Sequence, residues 1–114
     1  MSRNFTNEEL SKMLYEALKI QKPIDVISDI DNEVTVEDAY DIQLLNVKRA
    51  LEDGEIVTGK KIGLTSKGMQ ELLGITEPDY GHLYKSTEVK NGGTVDTKTL
   101  IRPKVEGEVA FVLK

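Results

Sequence analysis

The 114-residue chain has no cysteine and no tryptophan, one histidine, three prolines and aromatics at only 5% of its residues. Without cysteine, neither disulfides nor thiolate metal sites are possible. With His82 as the single imidazole, any metal site must rest mainly on oxygen. No apolar run approaches the roughly 20 residues needed to cross a bilayer, and the opening M-S-R-N-F-T-N-E-E lacks the apolar core of a signal peptide. A cytoplasmic protein is the simplest expectation. The net charge of −5, from 15 Lys and Arg against 20 Asp and Glu, argues against a nucleic-acid binder, which would show a basic patch. No internal repeat or low-complexity stretch interrupts the chain. Its length suits one domain, or part of one, with a modest core.

What is present is organised around the last eleven residues, K-V-E-G-E-V-A-F-V-L-K at 104–114. Their pattern predicts a β-strand. Val105, Val109, Phe111 and Leu113 alternate onto one face, with Gly107 between them. Glu106 and Glu108 share the other face with Ala110 and Val112. At about 3.3 Å rise per residue their Cα atoms lie roughly 6.5 to 7 Å apart, close enough for both carboxylates to converge on one hard cation such as Mg²⁺ or Mn²⁺. A solvent-facing strip of an amphipathic strand is the commoner explanation of such a pair. Ala110 and Val112 beside it favour a pocket floor, and the rest of the chain has to decide. An apolar strand ending at Lys114 without turn or cap raises the expectation that this is the front portion of a longer protein.

Residues 6–21 read as a helix, with Thr6 and Glu9 at capping-box spacing and Leu10, Met13, Leu14, Ala17 and Leu18 as its apolar stripe. Lys22-Pro23 ends it. Residues 24–34 read as a linker; Asp29, Asp31 and Asn32 lack the glycine and closing glutamate of a calcium loop. Residues 36–53 form a second helix capped by Thr35 with Asp38 and stopped by Gly54. Its buried side is Ala39, Ile42, Val47, Ala50 and Leu51, with Tyr40 and Leu44 at the margin and Gln43 making a structural hydrogen bond.

Residues 56–65 read as a strand in which Lys61, Gly63 and Thr65 share one face, and Lys60, Ile62 and Leu64 the other. Gly63 leaves room beside Lys61 for a ligand; two exposed lysines at a strand end are the ordinary alternative. A short helix from Ser66 to Leu73 is closed by Gly74. A Pro78-Asp79 turn follows, in which Asp79 could serve the turn alone. Asn91-Gly92-Gly93 is expected to join hairpin strands at 87–90 and 94–96. Helices first and short strands after favour an α+β fold.

Three motifs in this order, G-K-K-I-G-L-T at 59–65, E-P-D-Y-G-H-L at 77–83 and R-P-K-V-E-G-E-V-A-F-V-L at 102–113, resemble the 2-keto-4-pentenoate hydratase family of the fumarylacetoacetate hydrolase superfamily. T-V-E-D-A-Y-D-I-Q at 35–43 is similar to that family's second helix, so the resemblance runs from about residue 5 to the end. It implies N-terminal helices over residues 1–55 and the first part of a mixed β-sheet roll over 56–114. It further implies one divalent cation, Mg²⁺ or Mn²⁺, held by Glu106, Glu108 and a third carboxylate from a later segment, with Lys61 and Asp79 as active-site residues. The activity implied is hydration of 2-hydroxy-2,4-dienoates in aromatic catabolism. Decarboxylation of a 2-oxo-hexenedioate, or a non-catalytic portion of such an enzyme, is the alternative. The expected partner is a small 2-oxo or 2-hydroxy-dienoic acid, with neither nucleic acid nor membrane, in a homo-oligomer.

Overall fold

A computed structural model describes residues 3–114; Met1 and Ser2, where the expected N-terminal helical region and the M-S-R-N-F-T-N-E-E stretch begin, lie outside the described residues. The element order is α1 (Asn7–Ile20), α2 (Ile27–Ile30), α3 (Val36–Glu52), β1 (Val57–Gly63), α4 (Lys67–Leu73) and β2 (Asp79–Tyr84), then 3₁₀ turns at Lys85–Thr87 and Thr97–Thr99. The fold is α+β, with four α-helices and one two-stranded antiparallel sheet among the described residues.

The long helices begin where their caps dictate. The Thr6 hydroxyl accepts from the Glu9 amide at 3.1 Å, while the Glu9 carboxylate accepts from the Thr6 amide at 2.8 Å. Thr35 and Asp38 repeat that reciprocal pairing at the start of α3, satisfying amide donors a helix otherwise leaves orphaned. Gln21 closes α1 in the left-handed region, and Gly54 follows α3 with φ 92°.

Leu10 and Ala17 of α1 pack with Ile42 and Ala50 of α3 to form the small buried core. The inward stripe of α3 is Ile42, Leu45, Asn46, Arg49 and Ala50, the 3–4 spacing of one helix face. That displaces two residues expected inside, Ala39 and Leu51, which are exposed, and Leu18 of α1 is exposed too. Arg49 turns inward to donate to the buried Ser11 hydroxyl at 2.6 Å and to pair with Glu8.

The expected linker at 24–34 is more structured than its composition indicated. It contains α2, and Asp31 at its end is only 2% exposed. Its carboxylate accepts from the amides of Asn4 at 3.0 Å, Phe5 at 3.2 Å and Glu33 at 3.1 Å, with Arg3 Nε 3.6 Å away. Asp31 therefore pins the N-terminal segment against α2.

Two strand expectations are corrected. Residues 104–114 form no strand; Val105, Val109, Phe111, Val112 and Leu113 are 84–100% exposed. A strand requires an edge to pair with, and β1 and β2 pair only with each other. Nor do strands flank Asn91-Gly92-Gly93: the turn itself forms, with Gly93 N–H donating to Lys90 O at 2.8 Å, but its arms have no ladder. The chain consequently exposes 9694 Å², against about 6,200 Å² for a compact chain of this mass.

The acidic residues make this fold pH-dependent. Burial alone would push the Asp31 carboxyl up, but the Phe5, Glu33 and Asn4 amides and the Arg3 charge outweigh it and hold it below the usual range. The Thr35 amide and the Asn7 and Thr35 side chains bring Asp38 down to about 2. Both carboxyls hold protons less readily folded than unfolded, where aspartate titrates near 3.9. Their stabilisation is present above about pH 4 and fades as pH falls towards 2. We expect Tm to drop across that window, and Asp31→Asn with Asp38→Asn to flatten the drop. An unchanged slope in the double variant would contradict this.

Candidate functional site

β1 and β2 pair antiparallel with Lys60 opposite His82, Lys61 opposite Gly81, Ile62 opposite Tyr80 and Gly63 opposite Asp79. Directly opposed residues project to the same side of a sheet. The hairpin therefore has two chemically different faces: Lys60, Ile62, Tyr80 and His82 on one, and Lys61, Gly63, Gly81 and Asp79 on the other.

The first face is docked on α3. Tyr80 stacks on Tyr40 with ring centroids 4.7 Å apart and planes 15° from parallel. Gln43 donates through Nε2 to the Tyr80 carbonyl at 3.0 Å, which turns its Oε1 towards His82 Nδ1, also at 3.0 Å. With Gln43 Oε1 as the acceptor, the proton of that bond is carried by His82 Nδ1. Lys60 lies over the Tyr80 ring, 5.9 Å from its centroid. The hydrogen bond expected of Gln43 is thus a pair of bonds that orients the hairpin on the helix.

The second face collects the residues singled out from the motifs. Lys61 Nζ donates to Glu106 Oε2 at 3.3 Å and lies 3.6 Å from Glu108 Oε1. Side chains 45 and 47 positions along the chain thus converge on one ammonium, although residues 104–114 are not in a strand. An extended backbone still alternates its side chains, so two glutamates at i and i+2 reach the same side. The hydrogen bond to Glu106, followed by the charges of Glu106 and Glu108, holds the Lys61 ammonium above its ordinary pKa. All three groups are 45–65% exposed, where ion pairs add little to stability.

Asp79 does more than shape a turn. It opens β2 opposite Gly63, and its carboxylate lies where a Cβ on Gly63 would be. The room that Gly63 leaves beside Lys61 is therefore filled, in part, by Asp79. Lys61 and Asp79 both line a cavity of about 770 Å³ between α3 and residues 74–83, whose walls include Tyr40, Leu64, Ile75 and Tyr80. Leu64 carries a left-handed φ of 53°, unusual for a branched side chain, and its carbonyl accepts from Gln70 Nε2 of α4 at 2.6 Å.

Tyr80, His82 and Gln70 were not singled out from the sequence. The signal for the first two was legible in retrospect: D-Y-G-H-L-Y alternates at period two, and the neighbouring Pro78 and Gly81 disguised it as turn. Nothing local marks Gln70, whose partner is a carbonyl.

Among the described residues no cluster of three or more His, Asp or Glu side chains forms a metal-binding group. The donor chemistry nevertheless suits a hard cation. Glu106 and Glu108 already place carboxylate oxygens around one positive charge, that of Lys61, and carboxylates leave further coordination positions to water or ligand oxygens.

The backbone as a whole matches a known class. It superposes with TM-score 0.81 and 31% identity on 4-oxalocrotonate decarboxylase from Pseudomonas putida G7, in structures complexed with calcium and acetate or with magnesium and adipate. The match covers 88% of this chain and about 40% of the decarboxylase, an enzyme of fumarylacetoacetate hydrolase type. In sequence, the chain is 44% identical over 109 residues to a 2-hydroxyhexa-2,4-dienoate hydratase of Comamonas testosteroni, covering 94% of this chain and 41% of the relative. It is 42% identical over 106 residues to a 2-keto-4-pentenoate hydratase of Paraburkholderia xenovorans, covering 93% and 39%. No protein-family model matches. Over most of its length the chain is similar to 2-keto-4-pentenoate hydratases, and it spans about two fifths of the length of these relatives.

Removing the clamp between helix and hairpin tests the described geometry. Gln43→Leu leaves the Tyr80 carbonyl and His82 Nδ1 without partners and is expected to cost about 1–2 kcal/mol, read as a fall of several degrees in Tm. A Tm within one degree of the parent would show that the clamp does not hold the hairpin.

Proposed function

We propose that this chain supplies the Lys61, Asp79, Glu106 and Glu108 face of an enzyme that hydrates 2-hydroxy-2,4-dienoates to 4-hydroxy-2-oxo acids, a lyase of aromatic catabolism. The observation that carries the reading is the convergence of Glu106 and Glu108 on Lys61, from motifs far apart in sequence. The similarity to hydratases at 42–44% identity supports the reaction type.

In the proposed reaction, the 2-hydroxyl of the dienol gives up its proton and the terminal carbon gains one, leaving a 2-oxo acid with its remaining double bond between C3 and C4. Water then adds across that bond, hydroxide to C4 and proton to C3. Glu106 and Glu108 would hold a divalent cation, Mg²⁺ or Mn²⁺, with a third carboxylate from a later segment. When bound, the cation supplies Lewis-acid stabilisation of enolate charge. Lys61, as an ammonium next to those carboxylates, holds a proton at the substrate's 2-oxygen and neutralises charge there. Asp79 orients Lys61 or the attacking water. Leu64 and Ile75, which line the cavity with Lys61 and Asp79, cover the hydrocarbon end of the substrate. On this reading, residues 56–114 begin the β-roll and residues 1–55 cover it, in a cytoplasmic homo-oligomer.

Decarboxylation of a 2-oxo-hexenedioate is the second reading. It is favoured by the structural match to 4-oxalocrotonate decarboxylase and relies on the same enolate stabilisation. The two part on product: hydration of 2-hydroxypenta-2,4-dienoate gives a 4-hydroxy-2-oxo acid by NMR, whereas release of carbon dioxide from the six-carbon dicarboxylate, without hydration of the five-carbon dienoate, identifies the decarboxylase.

The two lysines give the sharper test. In the full chain, Lys61→Met is expected to lower turnover by at least about 10²-fold, the lower end of a positioned proton-transfer group. Lys60→Met, on the opposite face, should leave turnover within a few-fold. The reverse pattern would refute the site. Glu106→Gln with Glu108→Gln should weaken Mn²⁺ binding by calorimetry; unchanged affinity would remove these two residues from the metal site.

A further inference from the structure

Three glycines, Gly59, Gly63 and Gly81, lie in the β1–β2 hairpin, and glycine inside a strand weakens it relative to alanine. None of the three has a left-handed φ; that conformation is confined among the glycines to Gly54, Gly74 and Gly92. Backbone freedom therefore does not explain them. Their surroundings separate them. A Cβ on Gly81 would meet nothing within 4 Å, and one on Gly59 would make an ordinary 3.8 Å contact with Leu83 Cδ1. A Cβ on Gly63 would overlap the Asp79 carboxylate oxygen outright and lie 3.6 Å from its Cγ.

We infer that Gly63 is a positioning residue, whose missing side chain lets the Asp79 carboxylate lie across β1 on the face that carries Lys61. The inference rests on the proposed reaction for its consequence, but not for its geometry. The Asp79 carboxylate makes no hydrogen bond among the described residues, so steric room rather than a polar partner sets its place. The carboxylate ends a short, exposed side chain. A methyl at position 63 would rotate it away while leaving the strand pairing intact. Gly63 thus acts through Asp79 and need not touch substrate.

The prediction is a loss of activity without a loss of fold. In the full chain, Gly63→Ala should keep its Tm within a few degrees and lower kcat for dienoate hydration at least about 10-fold, with KM little changed, as for a group that acts in the transition state. In an Asp79→Ala background the same substitution should cost less than about twofold, because residues acting through one group are not additive. Gly59→Ala, on the same strand, should leave turnover unchanged. Activity of Gly63→Ala within twofold of the parent would overturn the inference, as would an equal loss with and without Asp79. A crystal structure of Gly63→Ala separates this from failure of the proposed reaction. If the full chain hydrates no dienoate, an Asp79 carboxylate displaced from Gly63 still supports the positioning role, and one that stays in place overturns it.

Discussion

The constraint on which the site depends is the antiparallel register of β1 and β2. Side chains of opposed residues share a face, so pairing Gly63 with Asp79 and Lys61 with Gly81 places the lysine and the aspartate on one side. A slip of one residue would exchange the two faces. It would bring Lys60 towards the glutamates and bury Lys61 against the aromatic side chains. The register is held from the other face: the Tyr40–Tyr80 stack and the two Gln43 hydrogen bonds attach the hairpin to α3. Helix α3 in turn is set against α1 by Leu10, Ile42 and Ala50, and by Arg49 reaching Ser11. The small helical core thus fixes which face of a two-stranded sheet looks outward.

The glutamates reach that face differently. Residues 104–114 have no strand partner, and their apolar side chains stand in solvent. Glu106 and Glu108 nonetheless meet Lys61. Exposed ion pairs are weak, so the arrangement contributes little to folding. Its interest is electrostatic: two carboxylates on one small cation form a site that a divalent ion or an anionic substrate near Lys61 would reorganise.

How far the sequence was legible varied with the range of the interaction. Local signals served well. Thr6 with Glu9, Thr35 with Asp38, and Gly54 and Gly74 mark helix ends by interactions within four residues, and the structure places all of them at those ends. Tertiary pairing was legible only in part. D-Y-G-H-L-Y passed for a turn because Pro78 and Gly81 are turn residues. The closing segment passed for a strand because alternation reports a preference and not a partner. Leu18, Ala39 and Leu51 lie outside the core, while Ser11 is fully buried and Arg49 turns inward to reach it. Lys61, Asp79, Glu106 and Glu108 stand out in the sequence for another reason, that three ordered motifs carry a resemblance. The carboxylate of Asp79 over Gly63 needed coordinates, since no spacing rule links residues 16 positions apart.

The most direct measurement is a crystal structure of the full chain grown with Mg²⁺ and an unreactive 2-oxo acid. The account predicts a cation held by Glu106 and Glu108, with Lys61 and Asp79 facing the ligand from the Gly63 side of the hairpin and Lys60 on the opposite side against Tyr80. A cation and ligand bound away from these carboxylates, or a hairpin register that turns Lys60 to the ligand, would contradict it.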